Sequence, residues 1–225
     1  MPKSQKITET IQNYIKVIFM LTYEMDNEFA KTTDIANLLG VSPASVTEMI
    51  QKLSEKGIVE YTPRKGVRLK DDIVDDAIVL IRRHRLAERL LTDILEMDWD
   101  DVDDIACSLE HIITDEMEKK IDEKLNYPKT CPHGAPIIRN KEELKKIQFK
   151  GQSLANIGET GKYTIVRILD ESAQTLKLLR RLNILPGQQI EILEIIPNKT
   201  ILIRVNNKEH ALSPQLASII IVKKE

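Results

Sequence analysis

Thr32-Thr33-Asp34-Ile35-Ala36-Asn37-Leu38-Leu39-Gly40-Val41-Ser42-Pro43-Ala44-Ser45-Val46-Thr47-Glu48-Met49-Ile50 is the stretch that decides the fold. Ile35, Ala36, Leu38 and Leu39 carry helical spacing up to Gly40, a residue suited to ending a helix. Ser42 then stands where a cap belongs, ahead of a helix carrying Val46, Met49, Ile50 and Leu53 and ended by Gly57. Upstream, Ile11, Tyr14, Ile15, Ile18, Phe19 and Leu21 predict a helix over 10–24. Downstream the period changes to that of a strand. Ile58-Val59-Glu60-Tyr61 and Val67-Arg68-Leu69 flank Thr62-Pro63-Arg64-Lys65-Gly66, a hairpin with a basic tip. Helix, helix, turn, helix, hairpin is the order of a winged helix-turn-helix.

Beyond it the spacing predicts two long helices, over 73–95 and about 101–126, separated by Met97-Asp98-Trp99-Asp100. Tyr127 to Pro136 holds three prolines and one glycine, which excludes regular structure. Lys141 to Lys150 reads as a tether or a short helix. The remainder turns β-like, with strands expected over 163–169, 189–193, 200–205 and 218–222, a short helix over 173–182 and an Asn206-Asn207 turn. The fold class expected is a mainly α winged helix-turn-helix followed by a helical domain and a small C-terminal β-barrel. The expected division is 1–72 for the winged helix-turn-helix, 73–140 for the helical domain, 141–152 as linker and 153–225 for the barrel.

The longest apolar runs fall far short of the ~18–20 residues a membrane span needs, and no signal-peptide pattern follows Met1. Two cysteines, Cys107 and Cys131, cannot knit a disulfide scaffold. A cytoplasmic protein is expected, with no membrane partner. The net charge of -2 hides an asymmetry: residues 30–70 hold seven Lys/Arg against four acids, whereas 71–130 hold eight against eighteen. A basic module before an acidic one points to two partners of opposite charge.

In a helix-turn-helix the second helix enters the major groove by its N-terminal end. Here that end offers Ser42, Pro43, Ala44, Ser45 and Thr47, small enough for close approach to the bases. No Arg, Asn or Gln stands there for bidentate base contacts, so specificity is expected from methyl contacts, DNA shape and dimer spacing. Lys52, Arg64 and Lys65 are the expected phosphate contacts.

On the first long helix Ala77, Ile81, His84, Glu88, Leu91 and Leu95 form one stripe. His84 and Glu88 interrupt its apolar face, some 40° apart around the helix. On the second, Asp103, Cys107, Glu110, His111 and Thr114 fall within roughly a 100° arc. Burying such groups is costly unless something pairs them, and a divalent metal does so. Cys131 and His133, in the proline-rich stretch, read as linker.

Arg83-His84-Arg85-Leu86-Ala87-Glu88-Arg89-Leu90-Leu91, Ala106-Cys107-Ser108-Leu109-Glu110-His111 and the Cys-Pro-His-Gly-Ala-Pro loop carry a further signal. With them the chain resembles, over nearly its whole length, the diphtheria toxin repressor, iron-dependent regulator and manganese transport regulator family. The resemblance implies a homodimeric, metal-activated repressor with two metal sites per subunit, in which 1–72 binds DNA, 73–140 is a helical metal-binding and dimerisation domain and the C-terminal barrel is SH3-like. The primary site would use Cys107, Glu110 and His111 with a ligand from the N-terminal helix. The ancillary site would use His84, Glu88 and Asp103 with Glu171 and Gln174, which have the family's Glu-x-x-Gln spacing. The N-terminal ligand, Met in the iron type and Asp in the manganese type, falls on Asn13, with Glu9 one turn earlier as the alternative. Asp103 stands where the iron type has His. Cys107 stands where the manganese type has Glu, which favours Fe(II) with Mn(II) as the other candidate.

The expected function is a Fe(II)- or Mn(II)-dependent repressor that binds a double-stranded DNA operator and takes no small-molecule substrate. A metal-independent winged-helix regulator and a metalloenzyme are the alternatives. No nucleophile or phosphate-cradling loop supports the enzyme.

Overall fold

The computed structural model describes residues 8–25, 27–146, 151–197 and 200–225. Residues 147–150 of the expected linker lie outside the described residues. The chain divides into two compact units, one of residues 1–82 and 138–146, the other of 83–137 and 147–225.

In the first unit α1 (Glu9–Phe19) runs into a π-helical turn, Met20–Glu24, so the helix expected over 10–24 changes winding at its end. Thr22 Oγ1 donates to the Ile18 carbonyl at 2.7 Å within that turn. α2 (Thr32–Leu39) ends at Gly40, whose φ of 63° is the left-handed conformation that ends helices. α3 (Pro43–Glu55) starts at Ser42, whose hydroxyl accepts the Ser45 N–H at 3.1 Å, with Pro43 at the first helical position. Ile15, Ile18, Phe19, Ile35, Val46, Ile50 and Leu53 are buried, each contributing about 1.5–3 kcal/mol by leaving water.

The wing is β1 (Val59–Thr62) paired antiparallel with β2 (Gly66–Leu69). Ala30 adds a bridge, exchanging backbone hydrogen bonds with Val67 at 2.8 and 2.9 Å. Its tip departs from ordinary turn chemistry. Lys65 N–H bonds the Thr62 carbonyl, and Arg64 sits at φ 68°, a position that favours glycine. α4 (Val74–Asp93) begins in this unit and ends in the other. The segment 138–146 ends in α7 (Lys141–Lys146), where Lys141 pairs with Asp75 at 2.9 Å.

In the second unit the long helix expected over 101–126 is two helices, α5 (Asp103–Leu109) and α6 (Asp115–Lys124). Thr114 causes the break. Its backbone is extended, and its hydroxyl accepts the Met117 N–H to start α6 with three acids in the first turn. Glu110 and His111 therefore lie at the end of α5, and the arc computed for a continuous helix holds only as far as that end.

The rest of this unit contains a six-stranded antiparallel sheet in the order β3-β8-β4-β5-β6-β7. Its strands are β3 (Gln152–Ser153), β4 (Gly161–Ile168), β5 (Gln189–Ile195), β6 (Ile201–Val205), β7 (Lys208–Leu212) and β8 (Ile220–Lys224). Tyr163, Ile165, Ile190, Ile203, Leu212 and Val222 fill its core. α8 (Ala173–Arg181) buries Leu176 and Leu179 there. Asn206 and Asn207, at φ 47° and 64°, make the β6–β7 turn. Sequence reading did not anticipate β3, β7 or α9 (Pro214–Ser218). α9 repeats the Ser-Pro start of α3, with the Ser213 hydroxyl accepting from Leu216.

Candidate metal centre

α4 places His84 and Glu88 one turn apart, facing into the second unit. Both are buried, Glu88 completely. His84 is held by carboxylates on both ring nitrogens. Nδ1 lies 2.6 Å from Glu110 Oε2, and Nε2 lies 3.3 Å from Asp103 Oδ1 and 3.5 Å from Glu88 Oε1. Ligand atoms of His84, Glu88, Asp103 and Glu171 lie within 4.8 Å of one another. Glu171 reaches this group from the loop between β4 and α8. Gln174, on the first turn of α8, is exposed.

Cys131 and His133 are not linker. Both are buried and converge with Glu88, again with all ligand atoms within 4.8 Å. His133 Nδ1 lies 2.9 Å from Glu88 Oε1, and Nε2 lies 2.9 Å from the Trp99 carbonyl oxygen. The loop is pinned from several sides. Cys131 N–H bonds the Ala135 carbonyl, the His133 carbonyl accepts the Ile168 N–H at 2.9 Å, and Arg85 reaches the Pro136 carbonyl at 2.6 Å. Gly134 presses against β4 so closely that a Cβ on it would lie 2.1 Å from the Val166 carbonyl oxygen. Periodicity could not find this site, because its residues are assembled by packing between distant segments. The available signal was chemical: a Cys and a His two residues apart in a loop rich in proline.

A third convergence joins Cys107 to His84 and Asp103. Cys107, Glu110 and His111 do not come together as a trio among the described residues. Glu110 turns to His84 instead, while His111 Nε2 stands 3.7 Å from Glu110 Oε1 and its buried Nδ1 has no hydrogen-bond partner among the described residues. Asn13 and Glu9 lie on α1 in the first unit, half-buried and exposed respectively.

The electrostatics are those of a cation pocket. Burial alone would raise the Glu88 carboxyl, but His84 and His133 hold it well below the usual carboxylate range. Burial would lower His133, yet Cys131 and Glu88 push it up to about 12. Burial and the charge of Glu88 raise Glu171. Burial, then Glu88, raises the Cys131 thiol. Glu88 is thereby favoured as the anion beside a cationic His133, while Glu171 and Cys131 are biased towards their protonated forms, as expected where clustered acids face one another. Imidazole, carboxylate and thiol donors together suit a first-row divalent metal, and the orphaned His111 Nδ1 is a further donor without a use in the protein. The residues present fit such an ion.

In the first unit Ser42, Pro43, Ala44 and Ser45 are exposed at the start of α3, and Thr47 is half-exposed. Thr47 Oγ1 donates to the Pro43 carbonyl at 2.9 Å. Lys52 is engaged with Glu48 at 2.6 Å, an exposed pair of the kind worth little. Arg64 and Lys65, with Lys31, Thr32, Tyr61 and Gly66, line a pocket of about 200 Å³, and no carboxylate pairs with the three cations among the described residues.

Comparison with known proteins matches each part of the chain. Residues 6–67 match the iron-dependent repressor N-terminal DNA-binding domain, 75–139 the iron-dependent repressor metal-binding and dimerisation domain, and 152–224 the FeoA domain. A helix-turn-helix-type transcriptional regulator of Methanocaldococcus jannaschii is 30% identical over 115 residues, 51% of this chain and 91% of that protein. The chain belongs to the iron-dependent repressor family.

Within that family, the diphtheria toxin repressor of Corynebacterium glutamicum is 33% identical over 131 residues, 58% of this chain and 57% of that repressor. The match thus spans little more than half the length of that relative. The manganese regulator SloR has a solved structure that superposes with a TM-score of 0.80 at 28% identity, covering 95% of this chain and 98% of that one. The fold shared with that regulator therefore extends over nearly the whole chain. No described helix is long and apolar enough to cross a membrane.

Proposed function

We propose that the chain is a metal-activated transcriptional repressor, not an enzyme, that binds operator DNA as a homodimer in the cytoplasm. Fe(II) or Mn(II) is the proposed activator, with two sites per subunit. The observation that carries this reading is the buried junction at Glu88. Two donor sets share its carboxylate in a chain that also holds a helix-turn-helix with an exposed, small-residue start to α3. The proposed domains are 1–72, 73–140 and 153–225, joined by a linker over 141–152.

One set is His84, Glu88, Asp103 and Glu171, to which the family resemblance adds Gln174. Glu88, Cys131 and His133 would form a donor set of their own, which sequence reading did not foresee. The resemblance further assigns Cys107, Glu110 and His111, with Asn13 or Glu9, and we keep that assignment as a proposal. A bound divalent ion supplies positive charge that offsets the clustered carboxylates. Cys131 would give up its thiol proton and His133 the proton on Nδ1, while His133 Nε2–H stays on the Trp99 carbonyl. Leu95, Ile105, Ile112 and Met117 are exposed on or beside α4, α5 and α6, an apolar surface suited to a second copy of the chain. Ser42, Pro43, Ala44, Ser45 and Thr47 would meet the groove. Lys52, Arg64 and Lys65 would meet phosphates, Lys52 after leaving Glu48.

The test is an anaerobic titration of the protein against its own upstream DNA with chelator, Fe(II) and Mn(II) in parallel. Binding that appears only with metal supports the reading, and equal binding with chelator overturns it. In the same assay His111→Ala is expected to keep its circular dichroism and lose metal-dependent binding. Retained metal dependence would remove His111 from the switch.

Arg64 yields a separate expectation. Its left-handed backbone is strained for a residue with a side chain, and strain of this kind is kept where the side chain has a use. Arg64→Gly should leave thermal stability unchanged or raised. It should also weaken operator binding and reduce the slope of log affinity against log salt by about one. An unchanged slope would show that Arg64 contacts no phosphate.

A further inference from the structure

The acidic turn between α4 and α5 touches both the metal centre and α8. The Trp99 carbonyl accepts from His133 Nε2 at 2.9 Å, and the two rings lie 5.2 Å apart. The indole packs against the core of the sheet domain. On either side of it Arg180, near the end of α8, holds Asp98 at 2.5 Å and Asp100 at 2.9 Å. The Asp100 side chain is fully buried, whereas Lys177 and Asp101, paired at 2.9 Å, are both half-exposed. The segment from Glu171 to Arg180 thus bears a carboxylate of the centre at one end and the cation gripping this turn at the other.

A carbonyl oxygen only accepts. His133 Nε2 must therefore carry its proton, and the lone pair of the neutral ring falls on Nδ1, the atom that faces Glu88. A metal-binding histidine needs such a partner on its second nitrogen to fix tautomer and ring orientation.

We propose that Arg180 is a positioning residue for a divalent transition-metal ion: by gripping Asp98 and Asp100 it holds the Trp99 carbonyl against His133 and so presents Nδ1 beside Glu88 and Cys131. The inference rests on the reading that Glu88, Cys131 and His133 bind such an ion. It ties the quality of that site to the seating of α8.

The test uses full-length protein, anaerobic Co(II) titration and two optical signals. Thiolate-to-cobalt absorption that survives Cys107→Ser and is lost in Cys131→Ser reports Cys131 at the ion. Emission from Trp99, the one tryptophan in the chain, reports the turn in the metal-free protein. Arg180→Ala should lower Co(II) affinity at the thiolate site by about 10-fold or more, the range lost when a ligand's outer partner is removed, and should alter Trp99 emission. Arg180→Lys, which can grip one aspartate at a time, should fall between. Lys177→Ala should match wild type in both signals, because its ion pair is exposed. Wild-type affinity in Arg180→Ala overturns the positioning role, as does an equal loss in Lys177→Ala. Absence of the thiolate band from wild type overturns the underlying metal reading instead.

Discussion

Glu88→Gln is expected to abolish metal-dependent operator binding while the chain stays folded. The carboxamide has the shape of the carboxylate, so the buried space next to α4 remains filled. What disappears is the anionic oxygen that both donor sets share, 2.9 Å from His133 and 3.5 Å from His84. Losing an outer partner of a ligand costs about 10–100-fold in metal affinity, and a ligand common to two sets should cost more than about 100-fold. Asp103→Asn should cost less, because Asp103 is half-exposed and belongs to the sets around His84 alone. Anaerobic Mn(II) titration with fluorescence anisotropy on labelled operator, alongside circular dichroism, measures both. Near-wild-type metal affinity in Glu88→Gln would remove Glu88 from the centre.

The second large effect is structural. Gly134→Ala should destabilise the second unit by about 2–5 kcal/mol, combining the ~1–3 kcal/mol of an overpacked contact with the ~1–2 kcal/mol of a left-handed backbone bearing a Cβ. Gly134 sits at φ 88°, and the added methyl would lie 2.1 Å from the Val166 carbonyl oxygen and 2.8 Å from Arg167 Cα. Both neighbours are backbone of β4, which cannot swing aside as a side chain does. The loop must lift, carrying Cys131 and His133 away from Glu88. Urea unfolding should show the lower midpoint, and Co(II) titration a lost thiolate band. A stability change below about 1 kcal/mol would mean that the loop yields without β4, contrary to the close packing seen at Gly134.

What the sequence made legible was local. Ser42, Pro43 and Gly40 act within a turn of where they stand, so the helix-turn-helix could be read residue by residue. His84 and Glu88 were visible because two residues four apart share a helix face whatever the helix packs on. The break at Thr114 was also local and went unread, because an extended Thr ahead of Asp115 and Glu116 outweighs the apolar spacing on either side. β7 stayed hidden for another reason. Lys208-Glu209-His210-Ala211-Leu212 buries only Leu212, as suits an edge strand that needs one apolar face and polar exposure elsewhere. Cys131 and His133 were out of reach of any periodic argument. Their burial depends on Gly134 meeting β4, a contact between segments far apart in the chain.

That long-range closure also sets an order of events during synthesis. The first unit draws most of its residues from the first 82 positions, and its helices form from short-range contacts. The metal centre is different: Glu88 must wait for Cys131 and His133, and then for Glu171, which a ribosome adds much later. Domains fold largely in the order they are made, and distant pairings bear the entropy of closing long loops. A nascent chain therefore owns its helix-turn-helix well before the groups around Glu88 are assembled, and on the proposed reading it can be governed by metal only once Glu171 has been added.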